Sequence, residues 1–291
     1  MTIKKKIINI FVYFLILVNR LSLKIFNTSF IGYLKEQIEN QCYISKIFEN
    51  KKLIFFCPNK LIEWRVKTFL EKEPETLEWI SNFDKNNPII FWDIGANIGL
   101  YSLYTSIKFE KADIFAFEPS TSNLRVLSRN ISINNFSNKI KIINQPLSDV
   151  KTSFSIFNES SFQEGGALNT FKEKYNFTGK EINFENKYFL LGTNINDLID
   201  KQILQIPNYI KIDVDGIEHL ILNGADKYLS HKKIKSILIE VNENFDEQFK
   251  NIKDIMIKCN FSLIKKDRNE NFYENPEFEK MYNYIFQKNE N

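Results

Sequence analysis

The stretch Pro88-Ile-Ile-Phe-Trp-Asp-Ile-Gly-Ala-Asn-Ile-Gly99 decides the fold. Its first half is bulky and consecutive, bounded by Pro88 and a turn, and reads as a buried parallel strand over 89–92 that stops at Asp93. Gly95 and Gly99 then supply positions without Cβ, where the backbone turns sharply and approaches a ligand, and residues 100–107 resume at helical spacing. Strand, glycine turn and helix in that order open a doubly wound α/β sheet, whose ligands sit outside the carboxyl ends of the strands.

A second strand over 113–117 delivers Glu118 about 20 residues beyond the turn, where such folds place an acid on ribose hydroxyls. A carboxylate bridging two hydroxyls is worth roughly 1.5–3 kcal/mol, so a nucleoside is implied. The turn lacks the G-x-G-x-x-G that clears room for a pyrophosphate, and Asp93 would repel a diphosphate. A cationic cofactor fits better. S-adenosylmethionine carries a ribose, an ammonium, a carboxylate and a sulfonium, matched by Asp93, Glu118 and bare N–H groups at the turn of Gly95, Asn97 and Gly99.

The motif Asp93-Ile-Gly-Ala-Asn-Ile-Gly99, then Phe117-Glu-Pro119, the stretch Asn130 to Asn134, Leu147-Ser-Asp149 and Ile210-Lys-Ile-Asp-Val-Asp-Gly-Ile-Glu218 together resemble the FkbM family of S-adenosylmethionine-dependent methyltransferases. The resemblance covers residues 88–242, and the joint order of the motifs makes it specific; Asp215 departs from it, standing where the family more often shows Glu. It implies a class I, Rossmann-like domain with a mostly parallel seven-stranded sheet whose last strand is antiparallel, and O-methylation of a sugar, polyketide or other secondary metabolite. It also implies adenine contact at Leu147-Ser-Asp149, through Ser148 or Asp149.

Composition bounds the alternatives. With 39 basic and 36 acidic residues the net charge is only +3, which argues against a nucleic-acid surface. Cys42, Cys57 and Cys259 are odd in number and far apart, so neither a zinc site nor a disulfide framework is indicated, and a reducing, cytoplasmic setting is expected. A 1–87 lead-in is expected to precede the methyltransferase domain at 88–291. Lys4-Lys-Lys6 precedes an apolar run over 7–18 that is short for a bilayer span of roughly 20 residues and has no small-residue cleavage site after it. A helix over 4–24 lying on the inner face of the membrane is one reading, a helix docked on the body of the protein the other. Within the lead-in, 52–56 reads as a strand and 73–83 as a helix with Pro74 at its start; Trp64 and Trp79 read as packing residues.

Beyond strand 1 the βα alternation is regular. Ser120 or Thr121 caps a helix through Leu124, Leu127 and Ile131; strands are expected at 139–143, 152–157, 209–212, 234–241, 261–265 and 281–287, and helices from Asn194 and Asn244. Residues 157–187 are polar and too long for a plain connector, which points to a lid in which Gly165 and Gly166 fold over the acceptor and Glu164 or Asn169 touches it. His219 and His231 read as surface residues.

Three acids follow the 209–212 strand. Asp213, Asp215 and Glu218 are candidates to remove the acceptor's proton, a contribution of roughly 10²–10⁴-fold. Should Mg²⁺ take part, which is not favoured, its ligands would be Asp213, Asp215, Glu240 and Asn242. The expected partner is a small molecule or glycan, lipid-linked if the membrane reading holds, with no nucleic acid. Two other classes remain: a D-x-D glycosyltransferase built on Asp213 and Asp215, and a non-catalytic scaffold in polysaccharide assembly.

Overall fold

The computed structural model describes residues 3–184, 186–272 and 276–290, with side chains from residue 5 onward. The extreme ends of the 1–87 and 88–291 units, Lys4's side chain and one position of the 157–187 segment lie outside the described residues.

Two helices come first, α1 (Ile3–Phe26) and α2 (Phe30–Glu39), then a hairpin of β1 (Tyr43–Phe48) and β2 (Lys51–Phe56), then α3 (Lys60–Lys72) and α4 (Pro74–Ser81). Pro74 opens α4 because its missing N–H lies at a helix start, where no partner is needed. The alternating part follows: β3 (Ile89–Ile94), α5 (Leu100–Lys108), β4 (Ala112–Phe117), α6 (Thr121–Ile133) and β5 (Ile140–Ile143). The side chain of Ser120 caps α6 by accepting from Asn123 N–H, as expected. A three-stranded antiparallel sheet, β6 (Ser153–Glu159), β7 (Thr170–Phe171) and β8 (Asn186–Gly192), interrupts the alternation. The chain then runs through α7 (Ile195–Asp200), β9 (Tyr209–Ile212), α8 (Glu218–Asn223), α9 (Asp226–Leu229), β10 (Ser236–Asn242), α10 (Asp246–Lys258), β11 (Phe261–Asp267) and β12 (Met281–Lys288).

The main sheet has seven strands in the order β11-β12-β10-β9-β3-β4-β5, with β10, β9, β3, β4 and β5 parallel and β12 antiparallel to both its neighbours. The doubly wound, mostly parallel expectation is met. One apolar cluster lies on each face of the sheet, so β3 contributes Phe91 to one and Trp92 and Ile94 to the other.

The lead-in has no core of its own. Phe55, Phe56, Ile62, Val66 and Ile80 share a single cluster with Phe91, Leu103 and Val126. Asn130 and Asn134 of α6 stitch this layer to the domain: Asn130 Oδ1 accepts from Phe56 N–H at 2.8 Å and its Nδ2 donates to Ile98 O at 2.9 Å, while Asn134 Oδ1 accepts from Ile54 N–H. Trp79 packs edge-on against Phe83 and Phe91 and donates its indole N–H to Ser236 Oγ at 2.9 Å, which satisfies its one polar atom. Trp79→Ala is expected to lower stability by about 3–5 kcal/mol in chemical denaturation, with the lead-in and the sheet unfolding in one transition, because the indole leaves a cavity between them.

Candidate functional site

Register places the site. Paired residues of a parallel sheet share a face, so Asp93, Lys211 and Leu238 point the same way, and two residues further on Asp213 and Glu240 follow them. The strand tips on this face open into a cavity of about 360 Å³, within the range of roughly 300–1,000 Å³ typical of small-molecule sites. Gly95 allows the tips to meet: its φ is +86°, and a Cβ there would stand 1.8 Å from the carbonyl oxygen of Asp213.

At one end of the cavity, Glu118 accepts from Asn97 N–H and Ser120 N–H, both at 2.8 Å. Burial pushes its carboxyl up to about 7 against these hydrogen bonds. Asn97 donates through Nδ2 to Gly166 O at 2.7 Å, and its buried Oδ1 has no hydrogen-bond partner among the described residues. Gln145, Pro146 and Leu147 form the adjoining wall.

At the other end lies a charge cluster. Lys211, 1% exposed in the middle of the sheet, donates to Asp213 Oδ2 at 2.5 Å and stands over the Tyr101 ring. Burial would lower its pKa, but the charges of Asp213, Glu73 and Asp93 raise it instead. Glu73 accepts from Lys72 Nζ and Tyr101 OH, both at 2.6 Å; burial raises its carboxyl, and the two lysines overcome that and hold it at about 2. Asp215, at φ +64°, accepts from Leu168 N–H at 2.7 Å and is pushed up to about 6 by burial and by Asp213. Glu240 faces the cavity, only 7% exposed, and makes no hydrogen bond among the described residues; burial and Asp213 push it well above the carboxylate range.

The segment over 157–187 is more ordered than a plain lid. Its ends are strands, and its tip is pinned across the cavity: Arg65 Nε donates to Gly165 O, Asn123 Nδ2 to Gly166 O and Leu168 N–H to Asp215.

Of the residues expected from sequence, Gly95, Asn97, Glu118, Gly166, Asp213 and Asp215 line the cavity together, with Asn169. Others do not. Asp93 lies beneath it, because β3 runs two residues past the expected 89–92 and takes Asp93 into the sheet; its carboxyl, raised by burial, accepts from Ser102 Oγ at 2.6 Å. The turn is not bare: the N–H groups of Gly95 and Ala96 go to Phe117 O, that of Gly99 to Ala96 O, and Gly99 packs on Leu127. Ser148 is buried behind Leu147 by its N–H bond to Thr193 O, and Asp149 points outward to Lys172 at 3.7 Å. Gly165 packs on Ile62, and Glu164 turns to Arg125. Glu218 clamps the turn below the site by accepting from Val214 and Gly216 N–H, so it orders the loop rather than facing a substrate. His219 is buried, not at the surface, with its ring edge-on to Phe245. Trp64 lines the cavity, half-exposed, while Trp79 packs.

The four residues named for a metal are not brought together. Asn242 is spent on Phe177 O and Asn244 N–H, and the acids that do converge are Glu73, Asp213 and Glu240, within 4.8 Å of one another. Lys72 and Lys211 already neutralise two of these three, which is the role a cation would have. Sequence reading missed Glu73, Tyr101 and Lys211. Only Lys211 carried a signal, a lysine inside a strand that is otherwise fully apolar.

Residues 93–263, more than half of the chain, match the family described as the methyltransferase FkbM domain. The chain belongs to that family. It is 28% identical over 178 residues to methyltransferase sdnD of Sordaria araneosa, covering 54% of this chain and 68% of that protein. To the hexuronic acid methyltransferase AglP of Haloferax volcanii it is 22% identical over 211 residues, covering 72% and 78%. Among solved structures, an FkbM methyltransferase from Methylobacillus flagellatus KT superposes with a TM-score of 0.44 at 18% identity, over 68% of this chain and 43% of that one.

Lys211→Met is expected to destabilise this FkbM-family domain by about 3–5 kcal/mol at pH 8, because Asp213 loses its ion-pair partner and the fully buried Asp93 loses the positive charge beside it, while Glu73 keeps Lys72. The loss should shrink toward pH 5 as Asp93, whose carboxyl burial already raises, takes up a proton, a trend that chemical denaturation at the two pH values reads directly.

Proposed function

We propose that the protein transfers the methyl group of S-adenosylmethionine to a hydroxyl of a sugar or glycan. The observation that carries this reading is the polarity of the large cavity at the strand tips. A carboxylate at the tip of β4 and an unpaired amide oxygen, Glu118 and Asn97, stand at one end; an open carboxylate, Glu240, stands in a charge cluster at the other.

The residues fit the cofactor. Glu118 keeps a free lone pair on each oxygen for the two ribose hydroxyls, Asn97 Oδ1 accepts from a donor, and Gln145, Pro146 and Leu147 enclose a flat base in place of Ser148 and Asp149. The carboxylates of Asp213 and Asp215 suit a cation between them and the tip of β3. When bound, the cofactor supplies an electrophilic methyl group on a sulfonium.

The rest falls to this chain. Trp64, Tyr101, Phe272 and Phe278 give the acceptor end aromatic walls on which a sugar ring stacks, and Gly166 with Leu168 roof the cavity against water. Holding oxygen and methyl collinear contributes roughly 7–11 kcal/mol in favourable systems. For the proton, Asp213 is held by Lys211 and Asp215 by Leu168, which leaves Glu240 as the carboxylate without a donor of its own. An acceptor hydroxyl would be that donor. Glu240 would take its proton as the oxygen gains the methyl group and the sulfonium S–C bond breaks to leave a neutral thioether, and positive charge bound nearby would favour the ionised carboxylate beforehand.

The name of AglP supports an acceptor of the sugar class. Nothing favours the D-x-D glycosyltransferase reading, since Lys211 occupies Asp213. A scaffold would bind the cofactor without turnover, so labelled methyl donor incubated with fractionated envelope glycans, followed by mass analysis for one added methyl group, separates the two.

Two measurements test the residue roles. Cofactor affinity by calorimetry should rise between pH 6 and 7.5, as Glu118 loses its proton near 7, and Glu118→Gln should be weaker and flat over that range. Glu240→Gln should slow methyl transfer by about 10²–10⁴-fold with cofactor affinity changed less than about threefold; near-normal turnover would remove Glu240 as the base.

A further inference from the structure

Three basic side chains line the cavity among the described residues. Lys72 pairs with Glu73 and Lys211 with Asp213, whereas Arg65, half-buried, forms no ion pair there. Its Nε donates to Gly165 O at 2.7 Å, and the two terminal nitrogens of the guanidinium have no hydrogen-bond partner among the described residues. A cation with its planar fork unfilled, at the wall of a cavity, is fitted to a carboxylate or a phosphate.

Helix α3 sets it there. Ile62, Val66 and Phe69 are the buried stripe of that helix, and Arg65, three residues after Ile62, lies at the stripe's edge, so its side chain runs to the cavity rather than into solvent. The start of the helix is tied to the cavity roof as well: Asn59 accepts from Ile62 N–H at 3.0 Å and donates through Nδ2 to Glu164 O at 3.0 Å, one residue before the carbonyl that Arg65 holds. The next carbonyl of the roof, Gly166 O, accepts from Asn97 of the glycine turn at 2.7 Å. Arg65 is therefore fixed close to that turn. Where burial raises the carboxyl of Asp215 beyond β9, the charge of Arg65 opposes it.

S-adenosylmethionine brings a carboxylate together with its ammonium and sulfonium, and the cavity answers the two signs of charge unequally. Acids for the cations are at hand in Asp213, Asp215 and Glu240. A carboxylate is repelled by the same acids, and the glycine turn offers it little, since Gly95, Ala96, Asn97 and Gly99 give their N–H groups to Phe117 O, Glu118 and Ala96 O. We propose that Arg65 holds the carboxylate of the methyl donor, which makes the lead-in, outside the 93–263 stretch that matches the family, a part of the cofactor site. The inference rests on the methyl-donor reading above and adds to it the group that receives the donor's acid. An acidic acceptor would present the same chemistry; the fastening of Arg65 beside the glycine turn, next to the ribose acid Glu118, favours the donor.

The test is calorimetry on the full chain with a pair of ligands. S-adenosylhomocysteine, the demethylated product, keeps the carboxylate; its decarboxylated analogue, 5′-(3-aminopropylthio)-5′-deoxyadenosine, lacks that group alone and keeps the ammonium, sulfur, ribose and base. The wild-type chain should prefer S-adenosylhomocysteine by about 10–100-fold, the contribution of a hydrogen-bonded charge pair. Arg65→Gln should bring the two ligands within about threefold of one another by weakening S-adenosylhomocysteine, with the analogue moved less than about threefold, and Arg65→Lys should keep part of the preference, because the charge survives and the fork does not. Equal weakening of both ligands would overturn the proposal, since the arginine would then act only by bracing the roof through Gly165. Unchanged binding of S-adenosylhomocysteine to Arg65→Gln would overturn it too and would assign the guanidinium to an acidic acceptor. Failure of the wild-type chain to bind either ligand would instead remove the methyl-donor reading and this inference with it, a result that the wild-type titrations alone tell apart from the other two.

Discussion

The buried ammonium of Lys211 is the constraint around which the site is arranged. A lysine at this depth is tolerated only if acids converge on it, and they come from three separate parts of the chain: Asp93 from β3, Asp213 beyond β9 and Glu73 from the junction of α3 and α4. That convergence fixes the lead-in against the sheet, since Glu73 is held jointly by Lys72 and Tyr101. It also leaves Glu240 as the acid of the cluster with no hydrogen-bond donor among the described residues, its carboxyl pushed up by burial and by Asp213. Stability and chemistry are coupled here: the charges that hold the layers together also decide which carboxylate is left open to a ligand.

The glycine turn serves the same end by a different route from the one its sequence suggests. Its N–H groups are consumed by Phe117 O, Ala96 O and Glu118, so the turn is a rigid brace rather than an anion cradle. Its contribution is closeness. Without a Cβ at Gly95, the tips of β3 and β9 approach far enough to set Asp213 beside the cavity.

How legible this was in the chain varies by residue. The parallel core was plain, because consecutive bulky residues between Pro88 and Asp93 leave little choice but a strand covered on both faces. Glu118 was found by spacing alone. Asp93, Ser148 and Glu218 were misplaced for a common reason: each stands beside a strand tip in sequence, yet whether a side chain faces the cavity or the layer below is settled by a single step of register or by a competing hydrogen bond, with Ser102, with the Thr193 carbonyl oxygen and with the 214–216 turn respectively. Glu73 was beyond reach, since beside its neighbour Lys72 the partners that place it in the site lie 28 residues away at Tyr101 and further still at Lys211. Strand β2 was read, but its hairpin partner β1 and the helix α3 were not, their apolar residues answering to α5 and α6 rather than to one another.

The placement of β12 has a consequence for how the protein comes into being. This strand inserts between β10 and β11, both made before it, and it brings Met281 to the cavity and Asn283 to Glu75 of α4, where the amide donates at 2.6 Å. During synthesis on the ribosome β11 therefore waits without a neighbour, and the acceptor end stays open until residues 281–288 have left the exit tunnel. A nascent chain stalled short of that point would expose two unpaired strand edges and invite misassembly, so competence to bind a substrate arrives late and all at once.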